Sequence, residues 1–217
     1  MRTAEKITVI IAAGGTGTRF GGDVPKQFAV VDDMPVLWHT IVAFSRYSPG
    51  ITIIVAMHKE SITYWKKLTE KMEFVPGHIV VEGGKSRFHS VKNALTKCPD
   101  DGIILVHDAV RPFVSYDIID RVVKQVHKNG AAIPVISVSD SIRRITKAGS
   151  ESVDRKNYVR VQTPQGFKSA ILKKAFEQRY SETFTDEASV VEKSGIKIVL
   201  VEGEESNIKI TLKDDLP

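Results

Sequence analysis

The chain has 217 residues, 42% of them hydrophobic and 26% charged, which is an ordinary balance for a globular enzyme with a sizeable core. Lysine and arginine outnumber aspartate and glutamate by 31 to 26, but this excess is spread out, without the basic block or interleaved aromatics of a nucleic-acid-binding protein, so phosphorylated small molecules are the expected anionic partners. A single cysteine excludes an internal disulfide, the first residues lack the apolar core of a signal peptide, and no apolar run reaches the ~18 residues of a membrane span, so we expect a cytoplasmic protein without membrane contact.

The first predicted element is a strand that runs into a glycine-rich loop. Residues 7–13 form an apolar run rich in β-branched side chains, which predicts a strand buried on both faces. Glycines directly after such a strand let the backbone approach a ligand and point N–H groups at it. Two cations, Arg19 and Lys26, stand in the same loop. The glycines are Gly14, Gly15 and Gly17, and together these features predict a cradle for a polyanion, most simply a nucleoside triphosphate.

Two better-known phosphate loops do not fit this stretch. A Walker A loop ends in Gly-Lys-Ser/Thr, and this loop does not. The dinucleotide-binding fingerprint Gly-x-Gly-x-x-Gly fails because Phe20 stands at its third glycine position. The loop therefore indicates another class of nucleotide-binding protein, with a glycine-rich surface turn as the alternative.

Strand-like and helix-like segments then alternate along the chain. Behind Pro35, Leu37, Ile41 and Phe44 recur at helical spacing. Further helices are predicted over residues 61–71, 87–95, 116–128 and 168–179, with another beginning at Thr185. Strands are predicted over residues 51–56, 78–82, 103–107, 131–135, 197–201 and 208–211. This rhythm predicts one three-layer α/β domain over residues 1–217, with a mostly parallel sheet and ligands at the carboxyl ends of its strands.

Two loops of the predicted sheet carry groups suited to phosphate chemistry. Residues 83–87 follow a strand and open a helix, so their amides can face a ligand; the alternative is a helix start in solvent. Asp108 follows a buried strand, where a carboxylate is well placed to hold Mg²⁺, and its alternative is a helix or turn cap. His107, a lone histidine at a strand end, is more often structural, so no role is assigned to it.

The alternation fails between Ser137 and Val161. This stretch is too long and too polar for an ordinary connection, and few of its residues can build a core. Its arginines are Arg143, Arg144, Arg155 and Arg160. Taken alone, the residues favour a solvated surface hairpin.

The set of motifs resembles the sugar-phosphate cytidylyltransferases. The signature loop of that family is matched from Ala12-Ala13-Gly14 through Arg19 to Pro25-Lys26-Gln27. Later matches cover nearly the whole chain, namely residues 83–87, 106–113, 140–141, 153–155, 163–165, 185–189 and 203–211. The resemblance implies a Rossmann-like nucleotidyltransferase fold, similar to glycosyltransferase A, with a protruding β-arm over residues 137–161. It also implies CTP and a polyol phosphate as substrates and Mg²⁺ as cofactor.

The same resemblance implies roles for individual residues. Arg19 and Lys26 would stabilise the transition state, and the nucleotide would contact Ala12, Ala13, Gly14, Gly15, Gly17, Gly84, Lys85 and Ser90. Asp108 would contact the metal or the acceptor, with Arg111 supporting the site. Hydroxyls near the acceptor would come from Ser141, Thr163 and Thr185. Lys209 and Arg155 would aim its phosphate, with Arg155 reaching over from the arm of the second subunit of a homodimer.

The implied chemistry needs positioning and positive charge more than a nucleophilic side chain, because the attacking phosphate is itself a nucleophile. Within the family, the Thr-Asp-Glu-Ala-Ser run and the Val-Asp-Arg of the arm favour 2-C-methyl-D-erythritol 4-phosphate of the non-mevalonate isoprenoid pathway as acceptor, over ribitol 5-phosphate. The alternative from another class is a catalytically silent nucleotide-binding or regulatory protein. The joint presence of Arg19, Lys26, Asp108 and Lys209 favours an enzyme, since binding alone does not need all four.

Overall fold

Helices cover both faces of a mostly parallel sheet in the computed structural model, which describes residues 6–15 and 24–216. The strands are β1 (Ile7–Ala12), β2 (Val30–Val31), β3 (Met34–Pro35), β4 (Thr52–Met57), β5 (Ile79–Glu82), β6 (Ile103–Asp108), β7 (Ala131–Ser137), β8 (Ile142–Thr146), β9 (Gly149–Val153), β10 (Val159–Val161), β11 (Gln165–Lys168) and β12 (Val199–Glu202). The helices are α1 (Val36–Tyr47), α2 (Lys59–Thr69), α3 (Arg87–Leu95), α4 (Tyr116–Asn129), α5 (Ser169–Ala175) and α6 (Glu187–Lys193). The predicted three-layer α/β architecture is confirmed. None of the described helices is both long and apolar enough to cross a membrane.

The main sheet has the order β10-β7-β11-β6-β1-β4-β5, with β12 on β7. Strands β6, β1, β4 and β5 are parallel neighbours, whereas β11 runs antiparallel to both β6 and β7. Strands β10 and β11 pair with successive parts of one edge of β7, and β12 pairs with its other edge. The helix–strand rhythm does not reveal this antiparallel insertion, because β11 follows β6 only after a helix, another strand and the hairpin.

The register of the parallel strands aligns the ends that carry the motifs. Ala12 at the end of β1 lies opposite both Ala56 and Asp108. Met57 at the end of β4 lies opposite Glu82. The loops after β1, β5 and β6 therefore all start at the carboxyl-terminal ends of the parallel strands, as the sequence predicts.

Alternate strand residues feed two hydrophobic cores. Val9 and Ile11 pack in one cluster with residues of α1, α2 and α4, such as Leu37. Ile10 lies in a second cluster with residues of α3, α5 and α6, such as Phe88. Each fully buried aliphatic side chain contributes about 1.5–3 kcal/mol, so the sheet is held from both faces.

The predicted helix over residues 168–179 is shorter at both ends. Lys168 still pairs with Ile103 in the sheet, so α5 begins only after it. The helix ends at Ala175, whose carbonyl accepts a hydrogen bond from Gln178 Nε2 at 2.9 Å.

The predicted strand over residues 208–211 is wrong. This segment joins no strand ladder, although Ile210 N donates one hydrogen bond to Val110 O at 2.9 Å. Ile210 is fully buried beside Val31 and Val36. Side-chain packing and a single backbone bond, instead of sheet pairing, therefore fix the segment that carries Lys209.

Between β7 and β10 the chain forms the two-stranded hairpin β8–β9, which we call the arm hairpin (142–153). Ile145 is 81% exposed, and Arg144 pairs with Glu151 across the hairpin. Within the described residues, the ladder of β8 and β9 includes no third strand. The protruding hairpin is thus present, with an apolar side chain turned to solvent.

Candidate active site

A cavity of about 190 Å³, which we call the loop cavity, lies at the carboxyl ends of the parallel strands. It brings together many of the residues predicted to bind the nucleotide or act in catalysis: Ala12, Ala13, Gly14, Gly15, Lys26, Gly84, Lys85, Ser90, Asp108 and Lys209. Gln27, His58 and Arg87 also line it, although the sequence predicts no role for their side chains. Arg19 and Gly17 lie outside the described residues.

The loop after β1 is fixed by its backbone and by one buried side chain. Ala13 N donates to Ala56 O at 2.8 Å. Gln27, only 2% exposed, donates from Nε2 to Ala13 O at 3.0 Å. Gln27 thereby ties the short 3-10 helix Lys26–Phe28 to the strand exit and keeps Lys26 at the cavity. The sequence signal for this positioning role is the place of Gln27 in the Pro-Lys-Gln run.

Ser90 fixes the loop before α3 through hydrogen bonds to the loop backbone. Its buried hydroxyl accepts a hydrogen bond from Gly84 N at 3.0 Å and lies 3.0 Å from Ser86 O. A Cβ atom on Gly84 would lie 2.3 Å from Cβ of His89, so only glycine permits this approach. The run from Gly84 to Ser86 reads like the end of a Walker A loop, but Ile79 stands where that loop needs its first glycine.

Asp108, at the end of β6, is surrounded by three cations. Arg87 Nη1 lies 2.7 Å from Oδ1, and Lys209 Nζ and Arg111 Nε lie 2.9 and 3.2 Å from Oδ2. Burial alone would raise the pKa of this carboxyl, but the charges of Arg87, Lys209 and Arg111 outweigh burial and hold the pKa well below its usual range. Asp108 is therefore ionised, and it orients Lys209 beside the loop cavity.

Arg87 links Asp108 to the start of α6. Its Nε and Nη2 donate to the two carboxylate oxygens of Glu187 at 2.9 and 2.8 Å. Glu187 is 1% exposed, so this bidentate pair is shielded from water on the carboxylate side. Thr185, the predicted hydroxyl of the same Thr-Asp-Glu run, is exposed and outside the loop cavity. The run thus reaches the site through Glu187, which the sequence analysis missed because Arg87 lies 100 positions away.

His107 and Thr163 form a buried support behind Asp108. Thr163 Oγ1 accepts from Asp108 N at 3.1 Å and lies 3.0 Å from His107 Nδ1. His107 Nε2 lies 3.0 Å from Arg111 O. The hydroxyl of Thr163 is thus engaged inside the protein and outside the lining of the loop cavity. Its predicted contact with the acceptor stays a prediction, and the structural interpretation of His107 agrees with its burial.

Acid should destabilise the fold through His107. Burial lowers the pKa of the His107 imidazole to about 4, below the value near 6.5 of an unfolded chain. The unfolded state therefore binds the proton first, so stability is full above about pH 6.5 and falls as the pH drops towards 4. We expect a loss of about 2 kcal/mol in unfolding free energy between about pH 7 and about pH 5 from this group.

Urea unfolding at both pH values checks this expectation. In His107→Gln that part of the pH dependence should vanish, whereas His127→Gln, which replaces an exposed histidine, should keep it. An unchanged pH dependence in His107→Gln would contradict the assignment.

A second cavity of about 290 Å³, which we call the arginine cavity, lies on the other side of Lys209. Arg111, Arg160, Glu205, Asn207 and Lys209 are among its lining residues. Arg111 is held there because its Nη1 donates to Asn207 O at 2.6 Å. Lys209 lines both cavities, so one ammonium group stands where two anionic ligands could meet.

The residues around Asp108 do not fit a divalent cation. Both oxygens of the carboxylate already pair with Arg87, Lys209 and Arg111. Elsewhere in the described residues there is also no group of three His, Cys, Asp or Glu side chains that could hold a metal ion. A dication on Asp108 would face three positive charges, so the predicted role of Asp108 as a metal ligand does not agree with this arrangement.

Two residues predicted to act at the acceptor lie away from both cavities within one chain. Ser141 is exposed at the start of the arm hairpin. Arg155, in the 3-10 helix Arg155–Asn157 behind the hairpin, donates to Ser139 O. Neither residue lines the loop cavity or the arginine cavity of its own chain.

Comparisons with known proteins identify the family of the chain. The family model described as IspD, 2-C-methyl-D-erythritol 4-phosphate cytidylyltransferase, matches residues 7–217. The relative of that name from Bacteroides thetaiotaomicron is 46% identical over 211 residues, covering 97% of this chain and 96% of the relative. The one from Phocaeicola vulgatus is 47% identical over 208 residues, or 96% and 95% of the two chains.

A solved structure extends the similarity to the fold. The crystal structure of the Francisella tularensis 2-C-methyl-D-erythritol 4-phosphate cytidylyltransferase matches with a TM-score of 0.79 at 34% identity, covering 97% of this chain and 96% of that one. The family-model match includes all the residues that line the loop cavity. The chain belongs to the 2-C-methyl-D-erythritol 4-phosphate cytidylyltransferase family.

Proposed function

We propose that this chain transfers the cytidylyl group of CTP to 2-C-methyl-D-erythritol 4-phosphate, giving 4-diphosphocytidyl-2-C-methyl-D-erythritol and pyrophosphate in the non-mevalonate isoprenoid pathway. The names of its relatives suggest this donor and acceptor. The observation that carries the proposal is Lys209, which pairs with Asp108 and lines both cavities. Joining two phosphate anions needs positive charge between them, and Lys209 is placed to supply it.

In this proposal CTP occupies the loop cavity. Backbone groups of Ala12, Ala13 and Gly84 read the cytosine ring, in the loops that Gln27 and Ser90 hold closed. Gly14 and Gly15 allow the triphosphate to approach the backbone after β1. Lys26 lies against the same phosphates, and Arg19 is proposed to join it.

The acceptor occupies the arginine cavity, with its phosphate towards Lys209. One phosphate oxygen attacks the α-phosphorus of CTP, the bond from that phosphorus to the bridging oxygen breaks, and pyrophosphate leaves with the electron pair. No serine, cysteine or histidine nucleophile is required, because the phosphate oxygen is already nucleophilic. Lys26 and Lys209 stabilise the charge that develops on the phosphoryl oxygens.

We further propose that the arm over residues 137–161 completes the site of a partner subunit in a homodimer. The arm hairpin exposes Ile145, and Arg155 and Ser141 line neither the loop cavity nor the arginine cavity of their own chain. Exchange between two-fold-related subunits would cover the exposed surface and bring Arg155 to the acceptor phosphate. The alternative is a monomer with a free surface hairpin.

Mixing two inactive variants distinguishes these arrangements. Arg155→Ala and Lys26→Ala chains should each be nearly inactive alone, since each lacks one required cation. In a mixed dimer, one of the two sites combines intact Lys26 with intact Arg155, so activity should partly return. If heterodimers form but no activity returns, Arg155 acts in its own chain or outside the site.

A requirement for Mg²⁺ remains part of the proposal. Because Asp108 is paired with three cations, triphosphate oxygens are the more suitable ligands for such an ion. The proposed roles of Lys26, Arg155 and Lys209 do not depend on it.

Pyrophosphate release tests the proposed function. CTP is offered with 2-C-methyl-D-erythritol 4-phosphate and, separately, with ribitol 5-phosphate, and release should require the first. UTP should react about 10–10²-fold less efficiently in kcat/KM, because backbone groups that pair with the cytosine edge are left unpaired. Release with ribitol 5-phosphate alone would reassign the acceptor, and binding of CTP without any release would favour a silent nucleotide-binding protein.

A further inference from the structure

Arg160 brings a third cation to the arginine cavity, beside Arg111 and Lys209. In the structure this guanidinium is occupied by Glu205, whose two carboxylate oxygens both lie 2.7 Å from Arg160 Nη2. Glu205 lines the same cavity. The pair therefore places an anion of the protein's own within the cavity proposed for the acceptor phosphate.

The ion pair between Arg160 and Glu205 contributes little to the stability of the fold, so a ligand can replace Glu205 at low cost. The side chains of Arg160 and Glu205 are 49% and 68% exposed, and ion pairs exposed to this degree add little stability. A phosphate dianion carries more charge than a carboxylate and offers the planar guanidinium a bidentate contact. Replacement of Glu205 by a phosphate is thus favourable for Arg160.

The loop that carries Glu205 is anchored on both sides of it. Gly203 N donates to Val135 O at 2.8 Å, and Gln162 Nε2 donates to Glu204 O at 2.7 Å. On the far side, Asn207 Nδ2 donates to Thr163 O at 2.9 Å. The backbone on each side of Glu205 is therefore fixed, so the exchange needs only the two side chains to move.

Asn207 adds an unsatisfied hydrogen-bond acceptor to the surroundings of this cavity. This residue lines the arginine cavity, and its buried Oδ1 accepts no hydrogen bond from the residues that the structure describes. Buried amide oxygens in proteins are ordinarily paired with a donor. A polyol phosphate would bring both an anion for Arg160 and donors to this part of the cavity.

We infer that Arg160 binds the phosphate of the acceptor, and that Glu205 holds Arg160 in its absence and competes with the acceptor for it. The inference rests on the proposed function, because it takes the arginine cavity as the acceptor site. It assigns to Arg160 a role in acceptor affinity and to Glu205 an opposing one.

Steady-state kinetics with varied 2-C-methyl-D-erythritol 4-phosphate at saturating CTP test the inference. Arg160→Gln should raise the KM for the acceptor by about 10–100-fold, the effect of losing a hydrogen-bonded charge, and leave the KM for CTP unchanged. Glu205→Gln should lower the acceptor KM by about 2–5-fold, because the competing carboxylate is gone. The matched control is Arg121→Gln, which removes the same charge from a pair with the neighbouring Glu204 outside the cavity and should leave the acceptor KM unchanged.

Opposite shifts in the two variants support the inference, since a merely structural pair would give shifts of the same sign. It is overturned if Arg160→Gln leaves the acceptor KM unchanged, or if both variants raise it equally. Failure of the proposed function is recognised separately, because the unmodified protein would then release no pyrophosphate with this acceptor.

Discussion

Lys26→Ala and Lys209→Ala should each lower kcat by about 10²–10³-fold, with a much smaller change in the KM for CTP. Both lysines line the loop cavity, and Lys209 also reaches the arginine cavity. In the proposed reaction, charge grows on the phosphoryl oxygens as the acceptor attacks. A cation fixed before that moment stabilises the transition state more than the bound substrate, so its loss appears mainly in kcat.

The matched control is Lys213→Ala, which removes a lysine four positions after Lys209 that does not line either cavity. Its kcat should stay within about twofold of the unmodified protein, since surface substitutions usually have small effects. Single-turnover measurements separate chemistry from product release. If Lys26→Ala raised only the KM for CTP, Lys26 would be a ground-state binder and its catalytic role would be rejected.

Glu187→Gln should lower the free energy of unfolding by about 1.5–3 kcal/mol, because Arg87 then keeps only the carboxylate of Asp108, which it shares with Lys209 and Arg111. Glu187 is almost fully buried, and it accepts both hydrogen bonds of the Arg87 pair. Burial alone would lower the pKa of the Arg87 guanidinium, yet Glu187 and Asp108 together raise it above its usual value. Activity should fall as well, since Arg87 also fixes Asp108 beside Lys209.

Urea unfolding of the single and double variants measures the coupling. Arg87→Met with Glu187→Gln should lose less stability than the sum of the single changes, because the double variant leaves neither charge of this pair alone. Asp101→Asn, which breaks the exposed pair with Lys6, should leave the unfolding midpoint unchanged and serves as the control. A Glu187→Gln protein that unfolds at the same urea concentration as the unmodified chain would contradict the proposed importance of the pair.

That the residues predicted to bind the nucleotide lie close together could be derived from the sequence, because their proximity follows from the geometry of a parallel sheet. The carboxyl ends of parallel strands lie on the same side of a sheet, so Ala12, Gly84 and Asp108 were expected to lie near one another once the strands that precede them were identified. The spacing of apolar residues was sufficient for that step.

The electrostatic network could not be derived in this way. Glu187 meets Arg87 only because α6 packs on the same face of the sheet as α3, which local periodicity does not encode. The hydroxyl of Thr163 turns towards His107 and the amide of Asp108 because β11 inserts antiparallel beside β6. Long-range pairing between strands and side chains, unlike helix or strand formation, leaves little trace in the neighbouring sequence.

The order of strands in the sheet also separates the two proposed binding sites along the chain. The parallel strands β1, β4, β5 and β6 come from residues 7–108, and the loops after β1 and β5 carry the backbone groups proposed to read CTP. Most of the residues that line the arginine cavity come from residues 136–209, which follow β6 in the chain, and β11 of this part pairs antiparallel with β6. Under the proposed function, substitutions in this later part alter acceptor preference and leave the backbone of the CTP-binding loops unchanged. With the two proposed sites separated in this way, the residues around the acceptor can change as sequences diverge while the nucleotide-binding loops stay the same.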